Sequence, residues 1–348
     1  MKKATLALSI VLLFVWLTPS IAIHAEDDKV FSFELPVEGA TGFAAIQMDL
    51  FDNPSSTATV VEKLAAGTAF TIKGESLDFF FVDAVTENSE FVGWVKKDIT
   101  LINLPDIITS IVYYDSNSDS SLFKSSGVDL PNITGNQLYN CYVYNGRFNR
   151  KQYIMPVLYP FACKIMQAQT AALAEGNSLK IYETYRPHSV QKNVSGTLKS
   201  LMSSNSTVYS GIASWGMGWF IATSYSNHQR GRAMDVSLVK VLEMDEHPTG
   251  DCSYWEVVAY SEYDMPTEMH ELSTRAVTFQ YGVNAQYWKS TPLSKGMKDS
   301  EGAQLLQRYC TDAGMTPLAS EWWHFDDNSC MNKCTGEFLI NTCLSETP

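Results

Sequence analysis

Apolar and polar positions alternate or cluster in short runs between residues 41 and 103. The stretches 43–48, 69–73, 79–85 and 90–95 are apolar or alternating, a period-two pattern that turns one face of a strand inward. Turn residues separate them: Asp52-Asn53-Pro54-Ser55, Ala66-Gly67-Thr68 and Glu87-Asn88-Ser89. Several strands within about sixty residues predict a small all-β barrel. Residues 104–127 lose that periodicity and carry the polar run Asp115-Ser116-Asn117-Ser118-Asp119-Ser120-Ser121, which reads as a linker.

From residue 128 to about 330 the pattern becomes α+β. A helix is predicted over 160–175, with Pro160 near its start, Gly176 just past its end and Ile165, Ala168, Ala172 and Leu173 as its apolar stripe. The stretch 179–185 alternates as a strand that Pro187 prevents from continuing, and 233–239 is a second strand. Ser300 caps a helix carrying Leu305, Leu306, Tyr309, Cys310 and Ala313, stopped by Gly314. Residues 320–325 read as an aromatic strand or tight loop.

The N-terminus changes the setting. Lys2 and Lys3 precede a mostly apolar run over 4–17, Pro19 breaks it, and small residues lead to Ala25, so residues 1–25 read as a secretory signal peptide. A retained anchor is the alternative, but the run is short for a ~30 Å hydrocarbon core. No other stretch is long and apolar enough to cross a bilayer. The expected location is therefore outside the cytoplasm, with no integral span after cleavage. Seven cysteines, all from Cys141 onward, suit an oxidising compartment, and their odd number leaves at least one unpaired within the chain. Cys330, Cys334 and Cys343 mark a tail over 331–348; a stapled tail accounts for them better than a zinc site, because no fourth ligand has matching spacing. The formal net charge is −13. That charge repels polyanions at long range, so nucleic acid is not an expected partner.

Three segments hold the candidate chemistry: Tyr182-Glu183-Thr184-Tyr185-Arg186-Pro187, Ser226-Asn227-His228-Gln229-Arg230-Gly231-Arg232-Ala233-Met234-Asp235, and Glu321-Trp322-Trp323-His324. His228 and Asp235 flank Gly231, which lets the chain turn so that both side chains converge. Asp235 lies within an apolar strand, where a carboxylate needs a cation or hydrogen bonds. A catalytic zinc takes three protein ligands and leaves a fourth position to water, and His324 completes the three. Glu321 then stands as the general base. Strict strand alternation would put Glu321 and His324 on opposite faces, so a bulge, a twist or a strand end must lie between them.

The pattern Ser-x-His-x-x-Gly-x-Ala-x-Asp at 226–235, followed by Glu-x-x-His at 321–324, resembles the zinc D,D-peptidases of the LAS type, which include D-alanyl-D-alanine carboxypeptidases and D-Ala-D-Ala dipeptidases. Asn132-Ile133-Thr134-Gly135 resembles a motif of the dipeptidase branch, and Tyr185-Arg186-Pro187 matches the strand before its first ligand. The resemblance covers about 128–326 and implies one zinc held by His228, Asp235 and His324, with Glu321 as base and Arg186 as a substrate and transition-state contact. Phe325 departs from the Tyr of several relatives. Within 41–103, the pieces Asp49-Leu50-Phe51-Asp52-Asn53-Pro54, Val61 to Thr68 and Val92-Gly93-Trp94-Val95 resemble a bacterial SH3-like domain, which implies cell-wall or peptide binding. The whole reads as an exported, wall-associated zinc peptidase acting on D-Ala-D-Ala bonds of peptidoglycan stem peptides or on the free dipeptide. A wall-binding protein without activity and a lysin-like endopeptidase are the alternatives.

Overall fold

A computed structural model of the chain describes residues 35–85, 89–250 and 252–330. Its first seven strands are β1 (Thr41–Ala44), β2 (Met48–Phe51), β3 (Val60–Leu64), β4 (Ala69–Ser76), β5 (Phe79–Val85), β6 (Glu90–Lys96) and β7 (Thr100–Asn103); β8 (Val112–Tyr113) and β9 (Pro156–Leu158) follow. Alternation sets their inward face, which buries Phe43, Leu50, Ile72, Phe80, Val82, Val95 and Leu101. The strands join in the order β9-β7-β1-β4-β5-β6-β2-β3.

Two expectations are revised here. Residues 41–103 form strands at 69–76, 79–85 and 90–96 as alternation placed them, two strands in place of the single stretch 43–48 and two further ones at 60–64 and 100–103, but not a free-standing barrel. The end strand β9 comes from beyond residue 128, with Leu158 opposite Leu101 and Val157 opposite Ile102, and no ring closure is recorded among the described strands. An unpaired strand edge is a template for any passing chain, and β9 covers the edge of β7. Nor is 104–127 a solvated linker. Leu104, Ile107, Ile108, Ile111 and Phe123 are buried, and so are Asp115, Ser116 and Asn117. Asp115 caps a single helical turn by accepting from the Ser118 N–H at 3.0 Å. All described residues belong to one compact unit.

The second sheet carries the chemistry. Helix α1 (Tyr159–Ala174) has Pro160 in its first turn, buries Phe161, Ile165, Ala168 and Ala172, and gives way to Gly176 at φ +74°. It leads into β10 (Asn177–Glu183). Helices α2 (His188–Ser204) and α3 (Ser206–Ile212) follow, the latter capped by the Asn205 side chain. A long hairpin of β11 (Ala233–Thr249) and β12 (Cys252–Glu262) comes next. Ser300 caps α4 (Glu301–Asp312) by accepting from the Ala303 N–H at 3.1 Å. Two short strands close the described chain, β13 (Thr316–Pro317) and β14 (His324–Asp326). The order is β13-β14-β11-β10-β8, antiparallel except for β10 with β8, and β12 pairs with the distal part of β11.

The signal segment 1–25 and the tail 331–348, with Cys334 and Cys343, lie outside the described residues. Cys310 and Cys330 are buried thiols and Cys252 an exposed one. No helix among the described residues is long and apolar enough to cross a membrane.

Candidate active site

Three neighbouring strands bring Glu183, Asp235 and His324 abreast: β10 pairs Glu183 with Asp235, and β11 pairs Asp235 with His324. His228 arrives from the loop before β11. That loop closes on itself, with the Gly231 N–H on the His228 carbonyl at 3.1 Å and Gly231 at φ +65°. Side chains seven residues apart thereby face one point, as the sequence required. The condition on Glu321 and His324 is also met. The His324 N–H reaches the Glu321 carbonyl at 3.3 Å, so a turn through Trp322 and Trp323 ends where β14 begins, and both side chains lie on one side.

His228 Nε2, Asp235 Oδ1 and His324 Nδ1 stand 3.0 to 3.3 Å from one another. Donors bound tetrahedrally to zinc at about 2.0–2.1 Å sit about 3.3 Å apart, so the triangle has the size of a zinc face. The outer nitrogens are already committed. His228 Nδ1 donates to the Thr184 carbonyl at 2.8 Å, and His324 Nε2 donates to Asp326 Oδ1 at 3.1 Å. Each bond fixes the tautomer that leaves a bare nitrogen toward the centre. All three residues are buried. Burial works against a charged Asp235, yet His228, His270 and His324 hold its carboxyl well below the usual range. This donor set, two imidazoles and a carboxylate oriented from outside, fits a zinc ion.

Glu321 lies beside the triangle, its Oε2 3.7 Å from His324 Nδ1. Burial, with Asp235 and Asp326 nearby, pushes its carboxyl up to about 8 against the pull of His324 and Arg186. A bound dication would draw it down again. Arg186 lies under the centre and is buried. It donates to Glu183 through Nε at 2.8 Å and through a second, shorter contact, to Gln191 at 2.7 Å and to Asp235 Oδ2 at 3.0 Å, and its guanidinium covers the Phe123 ring at 5.1 Å. Its charge is therefore held by Glu183, which also accepts from Asn117 at 2.7 Å and Tyr139 at 2.9 Å. Glu183, Asp235 and His270 form a second cluster of metal-ligand type, but the guanidinium bonds to both of its carboxylates and already supplies the cation.

All five residues singled out in the sequence converge. Several partners were not singled out. His270 donates through Nε2 to Asp235 Oδ2 at 3.1 Å, stacks on Phe123 at a 4.3 Å centroid distance and holds φ +61°. Asp326 was legible, since residues two apart on a strand share a face and place it beside His324. His270 had no such signal, because it reaches the centre from an irregular segment. A cavity of about 600 Å³ opens from the triangle, with Trp215, Trp219, Phe220 and Tyr225 in its wall.

A protein-family model described as D-Ala-D-Ala dipeptidase matches residues 159–334, just over half of the 348-residue chain and the part holding all five residues. No curated protein matches the chain.

Proposed function

The chain belongs to the D-Ala-D-Ala dipeptidase family of zinc peptidases, and from that premise we propose an exported zinc hydrolase that cuts D-Ala-D-Ala bonds in peptidoglycan stem peptides or the free dipeptide. The observation that carries the reading is the triangle of His228 Nε2, Asp235 Oδ1 and His324 Nδ1, with both imidazole tautomers fixed from behind. These three residues would hold the metal. When bound, zinc supplies Lewis-acid polarisation of a carbonyl and lowers the pKa of a water from 15.7 to about 7.

The chain's own residues do the rest. Glu321 takes a proton from the attacking water and delivers it to the leaving nitrogen. One water is consumed and the amide C–N bond breaks; the acyl fragment gains a carboxylate and the other fragment an amine. Proton transfer of this kind is worth about 10²–10⁴-fold in rate. Arg186, held in place by Glu183 and Gln191, keeps one NH1 hydrogen beyond its Gln191 bond and directs it at charge developing on the carbonyl oxygen. Trp322 and Trp323 are buried and fix the turn that aims Glu321.

Export is supported by the apolar run that follows Lys2 and Lys3. Wall attachment by residues 41–103 belongs to the same proposal, and Phe81 beside Trp94 at 5.1 Å is the aromatic pair at which it would be sought. Incubation of zinc-loaded protein with D-Ala-D-Ala and with a pentapeptide stem, read by mass spectrometry, tests the activity. Release of D-alanine from either supports it. Two intact substrates with one zinc per chain would defeat it.

A further inference from the structure

The two oxygens of Asp235 face different partners. Oδ1 stands 3.3 Å from His228 Nε2 and 3.0 Å from His324 Nδ1, as a corner of the triangle. Oδ2 accepts from Arg186 at 3.0 Å and from His270 Nε2 at 3.1 Å. A carboxylate beside a dication can bind through one oxygen or through both. A catalytic zinc with three protein ligands keeps its fourth place open, and a second carboxylate oxygen would compete for that place. Which mode Asp235 adopts depends on how firmly Oδ2 is held back. Arg186 divides its guanidinium between Asp235, Glu183 and Gln191. His270 brings its one donor to Oδ2 alone.

The surroundings of His270 keep that donor in place. The ring is buried and its Nδ1 has no hydrogen-bond partner. A proton on Nδ1 would bury an unpartnered N–H and set a bare Nε2 against a carboxylate oxygen, so the proton belongs on Nε2. The ring lies on Phe123, with centroids 4.3 Å and planes 15° apart, and Trp323 stands edge to face with it at 6.1 Å. The backbone is held as well. The His270 carbonyl accepts from the Lys124 N–H at 3.1 Å, and the Leu272 N–H reaches the Lys124 carbonyl at 2.7 Å. The Ser125 hydroxyl donates to the Leu272 carbonyl at 2.8 Å, and Glu271 accepts from the Ser126 and Gly127 N–H groups. His270 holds φ +61°, a left-handed conformation that an L residue keeps where its neighbours impose it. Residues 123–127, at the end of the stretch that reads as a linker, thus grip the residue that grips Asp235.

We infer that His270 is a positioning residue for the metal centre. Its Nε2–H, together with Arg186, holds back Asp235 Oδ2, so that Asp235 meets the metal through Oδ1 alone and one place in the coordination shell stays open. This rests on the zinc reading above and adds to it a residue that no motif contains.

The test uses the full chain loaded with zinc or with cobalt(II), whose visible absorption weakens as its coordination number rises. His270→Phe keeps a ring against Phe123 and removes the donor. It is expected to retain one metal per chain, to bind zinc about 10–100-fold more weakly against a chromophoric chelator, and to show a weaker cobalt band. The kcat for a D-Ala-D-Ala peptide is expected to fall by a similar factor with little change in KM. His270→Gln loses the aromatic stack, but its amide N–H reaches the place of Nε2. It is expected to restore the cobalt band and most of the affinity. A merely structural role would give the reverse order, with the Phe variant near wild type and the Gln variant impaired, and that order would overturn the inference. Should His270→Phe not fold, His270→Asn takes its place with the same expectation, because its amide stops short of Oδ2 and Asn tolerates a positive φ. If wild-type protein cleaves no peptide, the D-Ala-D-Ala reading fails, and the cobalt spectra and zinc affinities still decide this one.

Discussion

Glu321 and His324 are joined by one backbone hydrogen bond, the His324 N–H on the Glu321 carbonyl at 3.3 Å. That bond makes them the two ends of a turn and gives adjacent side chains separate tasks. Glu321→Gln keeps the turn and the shape but removes the basic oxygen. Zinc content is expected to stay near one per chain, while kcat falls by about two to four orders of magnitude with little change in KM. Metal analysis beside steady-state kinetics checks both halves. Loss of the metal from this variant would make Glu321 a ligand.

His324→Ala and His228→Ala should behave differently. Each deletes one corner of the triangle, so zinc and activity are expected to disappear together. Equilibrium dialysis against a chelator of known affinity measures this without reference to turnover.

Glu183 is the buried counter-charge of Arg186. Glu183→Gln keeps an acceptor for Asn117 and Tyr139 but leaves Asp235 Oδ2 as the one carboxylate bonded to the guanidinium, a loss of up to about 3–5 kcal/mol, the scale for breaking a buried pair. Burial alone would raise the Glu183 carboxyl, but Arg186 overcomes it and holds the carboxyl below the usual range. A depressed acid contributes its stability above its unfolded pKa of about 4.3 and loses it as the pH falls through the folded value. The gap between wild type and variant in urea unfolding is therefore expected to be full at pH 7 and to close toward pH 3. A gap independent of pH would show that Glu183 acts through packing.

Much of this was readable from residues. Ser300, Pro160 and Gly176 punctuate helices by local rules that need no tertiary knowledge, and the structure places α4 and α1 accordingly. The run Asp115 to Ser121 misled because composition does not say whether a polar group faces water or a partner. Here Asp115 caps a turn and Asn117 donates to Glu183, so polar side chains satisfy one another inside the protein. Helix α2 was hidden for a related reason: Pro187 was read only as the end of a strand, although it also precedes the helix's first residue. The long β11–β12 hairpin shifts register near Val241 and Glu243, which breaks the alternation that would have revealed its outer half. The five site residues were legible as a motif, whereas His270 depends on a fold-level approach of distant segments.

Gly231 leaves no room for a side chain. A Cβ there would lie 2.2 Å from Leu101 Cδ2 and 3.3 Å from the Leu158 nitrogen, at a φ of +65°. Gly231→Ala is expected to weaken zinc binding by at least tenfold, because the loop carrying His228 must move. Leu101→Ala added to it should recover part of the affinity by removing the methyl that clashes, leaving only the backbone strain. Zinc titration of the two variants with a competing chromophoric chelator reads the difference.

The β7–β9 pairing has a thermodynamic consequence. The Leu158 N–H also reaches the Gly231 carbonyl at 2.8 Å, so the strand that completes the first sheet is tied to the loop that presents His228. The first sheet and the loop that carries His228 are therefore expected to unfold together. A ligand that binds only the native state stabilises everything that unfolds with it, by RT ln(1 + [L]/Kd). Zinc at the triangle would thus protect amides in β7 and β1 from hydrogen exchange, more than 120 residues upstream of the first ligand, and chelation would loosen them.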